Sequence, residues 1–405
     1  MSVCKKISHS LLRDCGNPYI EVIVLKKKLL FLGSYVLVAM LATVVTLTMV
    51  YFTPGMKVTK LEQLEQLIEE KFVGEADMTA LADAAAIAML EATDDRWSYY
   101  VPASEYESYQ EQKENAYVGI GITIQAVEGG FAIIQVNPEG PAAEAGLELG
   151  DIIIAVAEQD VREATSETVR NLVRGEEGTF VTMTVLRQGD HRSVSVERRK
   201  VKTAVASHEM LENNIGRVTI LNFDGRCAEE TIAAIETLLE NGAEKLIFDV
   251  RYNPGGFADE MVQVLDYLLP EGDLFRTVSY DGVEHVDTSD AACLELPMAV
   301  LVNSGSYSAA EFFAAALRDY DAAVIVGEQT SGKGFYQNSF QLVDGSAVSL
   351  SVGKYFTPAG NSLEGVGITP DRVVALSEEA DNDLYYGLLA HEEDTQLHEA
   401  IKLLK

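Results

Sequence analysis

Residues 298–327 read MAVLVNSGSYSAAEFFAAALRDYDAAVIVG. A short apolar run ends at an asparagine, a glycine–serine turn follows, then a helical stretch, then a second apolar run. Strand, helix, strand at this spacing predicts a parallel crossover. The same texture continues upstream. RVTILNF (217–223) precedes the apolar helix AEETIAAIETLLENG (228–242), and the strand KLIFDV (245–250) precedes a helix around MVQVLDYLL (261–269). Residues from about 191 to 375 are therefore expected to form an α/β core. EEDTQLHEAIKLLK (392–405) reads as an amphipathic helix in a C-terminal tail, 376–405.

In an open parallel sheet, the loops leaving the carboxyl ends of the strands share one edge, and sites form there. Three loops carry chemistry. KLIFDV runs into Arg251-Tyr252-Asn253-Pro254-Gly255-Gly256, MAVLVN into Ser304-Gly305-Ser306-Tyr307-Ser308, and AAVIVG into Glu328-Gln329-Thr330-Ser331-Gly332-Lys333-Gly334. A serine at a helix start, a lysine between glycines and a paired-glycine turn suit acyl transfer. The serine hydroxyl needs a base. None of the six histidines lies in these loops, and no G-x-S-x-G elbow is present. A lysine can serve if burial lowers its pKa from about 10.4 toward neutrality. Amides of Gly255 or Gly256, with that of Ala309, are the candidate oxyanion donors.

Plainer readings compete at each position. Ser308-Ala-Ala-Glu311 is also a helix capping box, and a lysine between glycines is ordinarily a solvated loop residue. Gln337 reads equally as an ordinary strand residue. Gly327 to Lys333 fits most of a phosphate-binding loop, but Gly334 stands where magnesium needs a hydroxyl, and FYQNSF predicts a strand rather than a helix.

Between the N-terminal helices and this core, about 75 residues change to short β-rich runs: VGIGITIQ, FAIIQV, DIIIAV and FVTMTVLR. Pro141 suits the first turn of a short helix and Gly146 its C-terminal cap, and SETVRNLVRG (166–175) reads as a second helix. This stretch resembles a PDZ domain, with expected bounds 116–190. Such a domain takes a peptide as an added strand and holds its terminal carboxylate in backbone amides. Gly119, Ile120, Gly121 and Ile122 are the residues expected to hold it here.

The core motifs carry a wider resemblance. FDVRYNPGG, NSGSYSAAE, TSGKGFYQ, LVDGSAVSLSVGKYFTPAG and GVGITPD occur in the order found in the carboxyl-terminal processing proteases, a Ser/Lys peptidase family of S41 type with an inserted PDZ domain. The region from about 59 to 400 is similar to that family. The resemblance implies a multidomain α+β chain whose α/β core is crotonase/ClpP-like. It implies Ser308 as nucleophile, Lys333 as general base and Gln337 as the residue orienting the lysine, with no cofactor or metal. Arg174 matches a PDZ arginine that couples peptide binding to the active site in relatives. Tyr307 and Ala310 replace small and hydroxyl residues beside the nucleophile, Ser331 stands where an aromatic residue is common, and Asp94-Asp95-Arg96-Trp97-Ser98 is a loose version of a family turn.

The 405 residues include 63 Asp and Glu against 31 Lys and Arg, a formal charge of −32, which argues against a nucleic-acid partner. The exception to this acidity is the N-terminus. Residues 29–52, LLFLGSYVLVAMLATVVTLTMVYF, contain no charge and follow Lys26-Lys27-Lys28. A run of roughly 20 apolar residues suffices to span a bilayer. The expected layout is a cytosolic tail (1–28), a transmembrane anchor (29–53) and everything later outside, in a bacterial cell envelope. The competing reading is a cleaved signal peptide, against which no Ala-x-Ala site follows the run.

Residues 54–115 are expected to be a helical region with two helices meeting near Gly74. These and the C-terminal helix are candidates for a homodimer interface or for intramolecular docking. Cys227 and Cys293 are the pair that a disulfide outside the membrane would use; Cys4 and Cys15 precede the anchor. The expected partners are the cell membrane and protein or peptide substrates with free C-termini. Two rival functions are an inactive PDZ adaptor binding envelope-protein C-termini and a carboxypeptidase-like trimmer of cell-wall peptides.

Overall fold

A computed structural model of the chain describes residues 26, 30–31, 33–46 and 59–405. The chain divides into two compact units, residues 1–82 and 83–405. In the first, residues 33–46 are helical. Among the described residues no helix is long and apolar enough to cross a membrane. The anchor expected over 29–53 falls partly outside the described residues, as do Cys4 and Cys15. The helix Lys60–Lys71 starts at a capping box in which Thr59 and Glu62 satisfy each other's backbone amides. None of its residues is buried.

The second unit holds three sheets that matter for the site. A five-strand antiparallel array runs Ile122–Val127, Gly130–Val136, Ile152–Val156, Phe180–Arg187, Asp190–Glu197. Its alternating inward residues, including Phe131, Ile133, Ile153, Met183 and Val185, form a separate core with Val169 of the helix Ser166–Val173. The sequence reading ended this domain at 190. The last hairpin, turned at Gln188 (φ 54°) and Gly189 (φ 91°), carries its sheet on to Glu197.

The core sheet has strand order Ala206–Met210, Ile215–Ile220, Lys245–Asp249, Met298–Val302, Ala323–Gly327, Arg372–Val373. The first pair is antiparallel and all others are parallel. Met298–Val302 is buried at all five positions, as a strand covered on both faces must be. On one face Val300 joins Phe248 and the helices Cys227–Glu240, Ala258–Leu268 and Ala309–Asp319. On the other, Ala299 and Leu301 meet Leu397, Ala400 and Ile401 of the helix Thr395–Leu403. The segment expected as a C-terminal helical tail thus ends in a helix forming the third layer of the core, docked within its own chain. The third sheet is antiparallel and pairs Tyr99–Val101, Ala347–Phe356, Gly272–Ser279 and Glu284–Ser289, with Phe335–Gln341 also on Ala347–Phe356. Cys227 is buried and Cys293 exposed, and both are free thiols, so the pair considered from sequence does not form here.

Buried charge fastens the C-terminal helix. Arg251 sits beyond the end of Lys245–Asp249 and reaches Asp249 (2.6 Å and 2.8 Å), Asp394 (2.7 Å and 3.0 Å) and Gln396 (3.0 Å). Asp394 also caps the helix by accepting from the Leu397 amide at 2.9 Å. Removing Asp394 leaves a buried guanidinium short of two of its acceptors. Asp394→Ala is therefore expected to cost about 3–5 kcal/mol, read as a lower urea midpoint. An unchanged midpoint would show the network to be dispensable.

Candidate functional site

The three loops read from the sequence converge at the carboxyl edge of the parallel sheet, on a cavity of about 580 Å³ bordered by Gly255, Gly256, Ser308, Ala309, Lys333 and Gln337. The antiparallel sheet adds Tyr99, Phe275 and Tyr336 to its walls, and Lys113 enters from the helix Ala103–Lys113.

Ser308 is the N-cap of Ala309–Asp319, with φ 60° and ψ −125°. A non-glycine residue there is strained by roughly 1–3 kcal/mol and persists only if its surroundings hold it. Several bonds do so. The Ser308 amide donates to Glu311 Oε2 at 3.0 Å and the Tyr307 amide to the Asn253 carbonyl at 3.2 Å. Buried Ser306 donates to the Val250 carbonyl at 2.7 Å, and Asn303 Oδ1 accepts from the Tyr252 and Gly305 amides.

Glu311 lies at the centre. Its buried carboxylate accepts four hydrogen bonds: from the Ser308 and Lys333 amides on one oxygen (3.0 and 2.9 Å), and from Thr330 Oγ1 and the Gly332 amide on the other (2.6 and 2.7 Å). Burial raises its pKa, and these donors work against that rise. One side chain thus ties the serine turn to the lysine loop. The sequence signal was present as the fourth residue of the capping box, but spacing alone gave it only the local half of this role.

The glycine turn is set by Asn253, which is fully buried. Its Nδ2 donates to the Ile220 carbonyl and its Oδ1 accepts from the Gly255 amide, both at 2.8 Å. Gly255 (φ 84°) passes so close that a Cβ would lie 2.8 Å from Ser308 Cβ and from the Tyr307 carbonyl oxygen. At Gly256 a Cβ would be 2.2 Å from the backbone of Phe223. Of the three amides considered from sequence, that of Gly255 is engaged by Asn253. Those of Gly256 and Ala309 have no hydrogen-bond partner among the described residues, which leaves two donors beside Ser308.

The Lys333 amine lies 5.1 Å from the centroid of Trp97. Burial, then the charge of Lys113, pushes its pKa down to about 8, against the pull of Asp95, Glu311 and Glu364. Lys113 is itself held by Asp224 at 2.9 and 3.2 Å. Gln337 borders the same cavity, but its amide donates to Ser351 Oγ (3.0 Å) and the Phe335 carbonyl (3.1 Å), not to the lysine. His285, from the strand Glu284–Ser289, also reaches the cavity, at an exposed position 3.1 Å from Asp287. From sequence, Trp97, Lys113 and His285 had no site role, because only the fold brings their distant positions here; Asn253 stood in the quoted loop without a role of its own.

A second groove, of about 210 Å³, runs between Ile122–Val127 and the helix Ser166–Val173, and is bordered by Gly119, Ile120, Gly121 and Ile122. Ile122–Val127 is an edge strand of its sheet, so one row of its backbone groups is available for an added strand. Gly121 takes φ 78°, and the Ile120 carbonyl is occupied by the Ala142 amide at 2.9 Å. Arg174 borders this groove with its guanidinium 5.5 Å from the Tyr117 ring, and does not border the Ser308 cavity.

Comparison with known proteins agrees with this layout. Residues 214–374 match the model of peptidase family S41, and 118–197 match that of the PDZ domain. The carboxy-terminal processing protease CtpA of Bacillus subtilis is 31% identical over 321 residues, 78% of this chain and 69% of the relative. A CtpA-like serine protease of Staphylococcus saprophyticus is 27% identical over 356 residues, 85% of this chain and 72% of the relative. Among solved structures, an S41 protease from Bacteroides fragilis shares the fold at TM-score 0.50 and 19% identity, covering 78% of this chain and 89% of that one.

Glu311→Gln keeps the shape of the hub but turns an amide donor toward groups that are themselves donors. It is expected to lower stability by about 1–3 kcal/mol, measured by denaturant unfolding. Unaltered stability would mean the four bonds contribute nothing net.

Proposed function

The chain belongs to peptidase family S41 and is a serine protease of the carboxy-terminal processing type; on that premise we propose that it is a membrane-anchored Ser/Lys endopeptidase that cuts extracytoplasmic proteins near their C-termini. The observation that carries the dyad is one cavity bordered by a strained serine and a lysine whose pKa burial lowers to about 8, their loops joined by Glu311.

In this reading neutral Lys333 takes the proton of Ser308 as Oγ attacks the scissile carbonyl. The tetrahedral oxyanion is held by the amides of Gly256 and Ala309. Lys333 then protonates the leaving amine, and a water deprotonated by the same lysine hydrolyses the acyl-enzyme. Gln337 acts at one remove, by fixing the strand that carries it next to Lys333 through Ser351. The groove beside Ile122–Val127 takes the substrate's last residues as an added edge strand, with its carboxylate at the turn of Gly119, Ile120, Gly121 and Ile122 and Arg174 alongside. The uncharged run 29–52 behind three lysines supports the anchor and the extracytoplasmic location.

Three outcomes are expected with the full-length chain and an unfolded protein ending in an apolar residue. Ser308→Ala loses cleavage by about 10⁴-fold or more, by mass spectrometry of products; surviving cleavage sinks the dyad, and full binding without cleavage by wild type favours the adaptor reading. Because the lysine pKa is lowered to about 8 and the neutral form is the active one, kcat/KM should climb as pH rises through 8. That limb should vanish with Lys333→Ala and persist in His285→Ala, whereas an acid limb carried by a histidine would centre near about 6.5. Amidating the substrate's C-terminus should weaken its capture about tenfold or more, since a charge-assisted bond is lost, as read by fluorescence anisotropy of a labelled peptide.

A further inference from the structure

Tyr307 stands where the related motif carries a small residue, and it has a partner. Its ring stacks on Trp97 at 6.0 Å between centroids, 25° between planes. Trp97 is the only tryptophan in the chain. Three side chains of its own turn, Asp95, Arg96 and Ser98, hold it. The Trp97 amide donates to Asp95 Oδ1 at 3.0 Å, Ser98 Oγ donates to Asp95 Oδ2 at 2.6 Å and accepts from the Ser351 amide at 3.0 Å. Arg96 places its guanidinium 4.1 Å from the Trp97 centroid and donates to the Ser331 carbonyl, two residues before Lys333, at 3.2 Å. The indole N–H is buried with no partner among the described residues, so the ring is held by its faces rather than by its polar atom.

We infer that Trp97, stacked on Tyr307, is a positioning residue that walls the Lys333 amine from water and so favours its action as a base. The inference rests on the Ser308/Lys333 reading above. Every ionisable group facing that amine is otherwise engaged. Asp95 holds the turn, Glu311 accepts four bonds, Glu364 accepts from the Gly334 amide at 2.7 Å, and Lys113 is paired with Asp224. Tyr355, from Ala347–Phe356, donates to the Lys333 carbonyl. Among the described residues no carboxylate forms an ion pair with the amine, and Lys113 repels its charged form. An aromatic face attracts an ammonium, which opposes this effect. Burial is nevertheless the largest influence on the lysine, and the Trp97 ring 5.1 Å from the amine contributes to it.

The single tryptophan makes the wall its own reporter. In full-length Ser308→Ala protein, tryptophan emission followed from pH 6 to 11 should pass through a transition near pH 8 that is absent when Lys333→Met is added. No such transition, or one that survives Lys333→Met, overturns the inference. In parallel, Trp97→Ala should move the acid limb of kcat/KM up by at least one pH unit, and Trp97→Phe should return it toward wild type. An unmoved limb in a folded Trp97→Ala also overturns it, and if that variant does not fold, the emission titration decides. Residual cleavage by Ser308→Ala would instead refute the dyad itself, so the two failures are distinct.

Discussion

The carboxylate of Glu311 is the point on which the site depends. It is buried on the first turn of the helix behind Ser308, and it spends all its acceptor capacity on two loops. Neither loop is regular structure. Ser308 sits in a disfavoured backbone region and the lysine loop turns through Gly332 at φ 81°. Without a common acceptor, each would relax toward its own minimum, and the serine and lysine would have no reason to share a cavity. A buried acid facing four donors is stable only as the acceptor it is. The same feature that caps the helix therefore ties together two loops separated by a helix and a strand.

Around this point the structure uses close approach where a side chain would interfere. Gly255 and Gly256 have no room for a Cβ, because the turn is pressed between the serine turn and the backbone at Phe223, just beyond Ile215–Ile220. Asn253 occupies the Gly255 amide, which leaves the next amide and that of Ala309 as the free pair. The division of labour is physical: one amide holds the turn and two stay available.

A second tie runs to the far end of the chain. Arg251, in the loop that becomes the glycine turn, is locked to Asp394 and Gln396 at the head of the last helix. Burying a guanidinium between two carboxylates is costly unless geometry is good, and here each donor has a partner. The C-terminal helix thus supports the oxyanion side of the site from the opposite face of the sheet.

Much was legible from local pattern alone. The alternation of apolar runs with helical periods placed the parallel strands, because each strand is buried on both faces and each crossover needs a helix. The loops at their ends named Ser308, Lys333 and the glycine pair, since a sheet edge collects whatever its loops carry. What local pattern could not hold was pairing between distant segments. Trp97 over Lys333, Glu311 across to Thr330 and Gly332, Asn253 on Ile220, and Arg251 on Asp394 all join residues from different elements. Gln337 illustrates the same limit: the motif put it four residues after Lys333, while its hydrogen bonds go to Ser351 and Phe335. The sequence by itself determined which residue types arrive at the edge, through periodicity and turn chemistry. Only the tertiary structure decided which of them touch, because a hydrogen bond depends on distances that no spacing along the chain encodes.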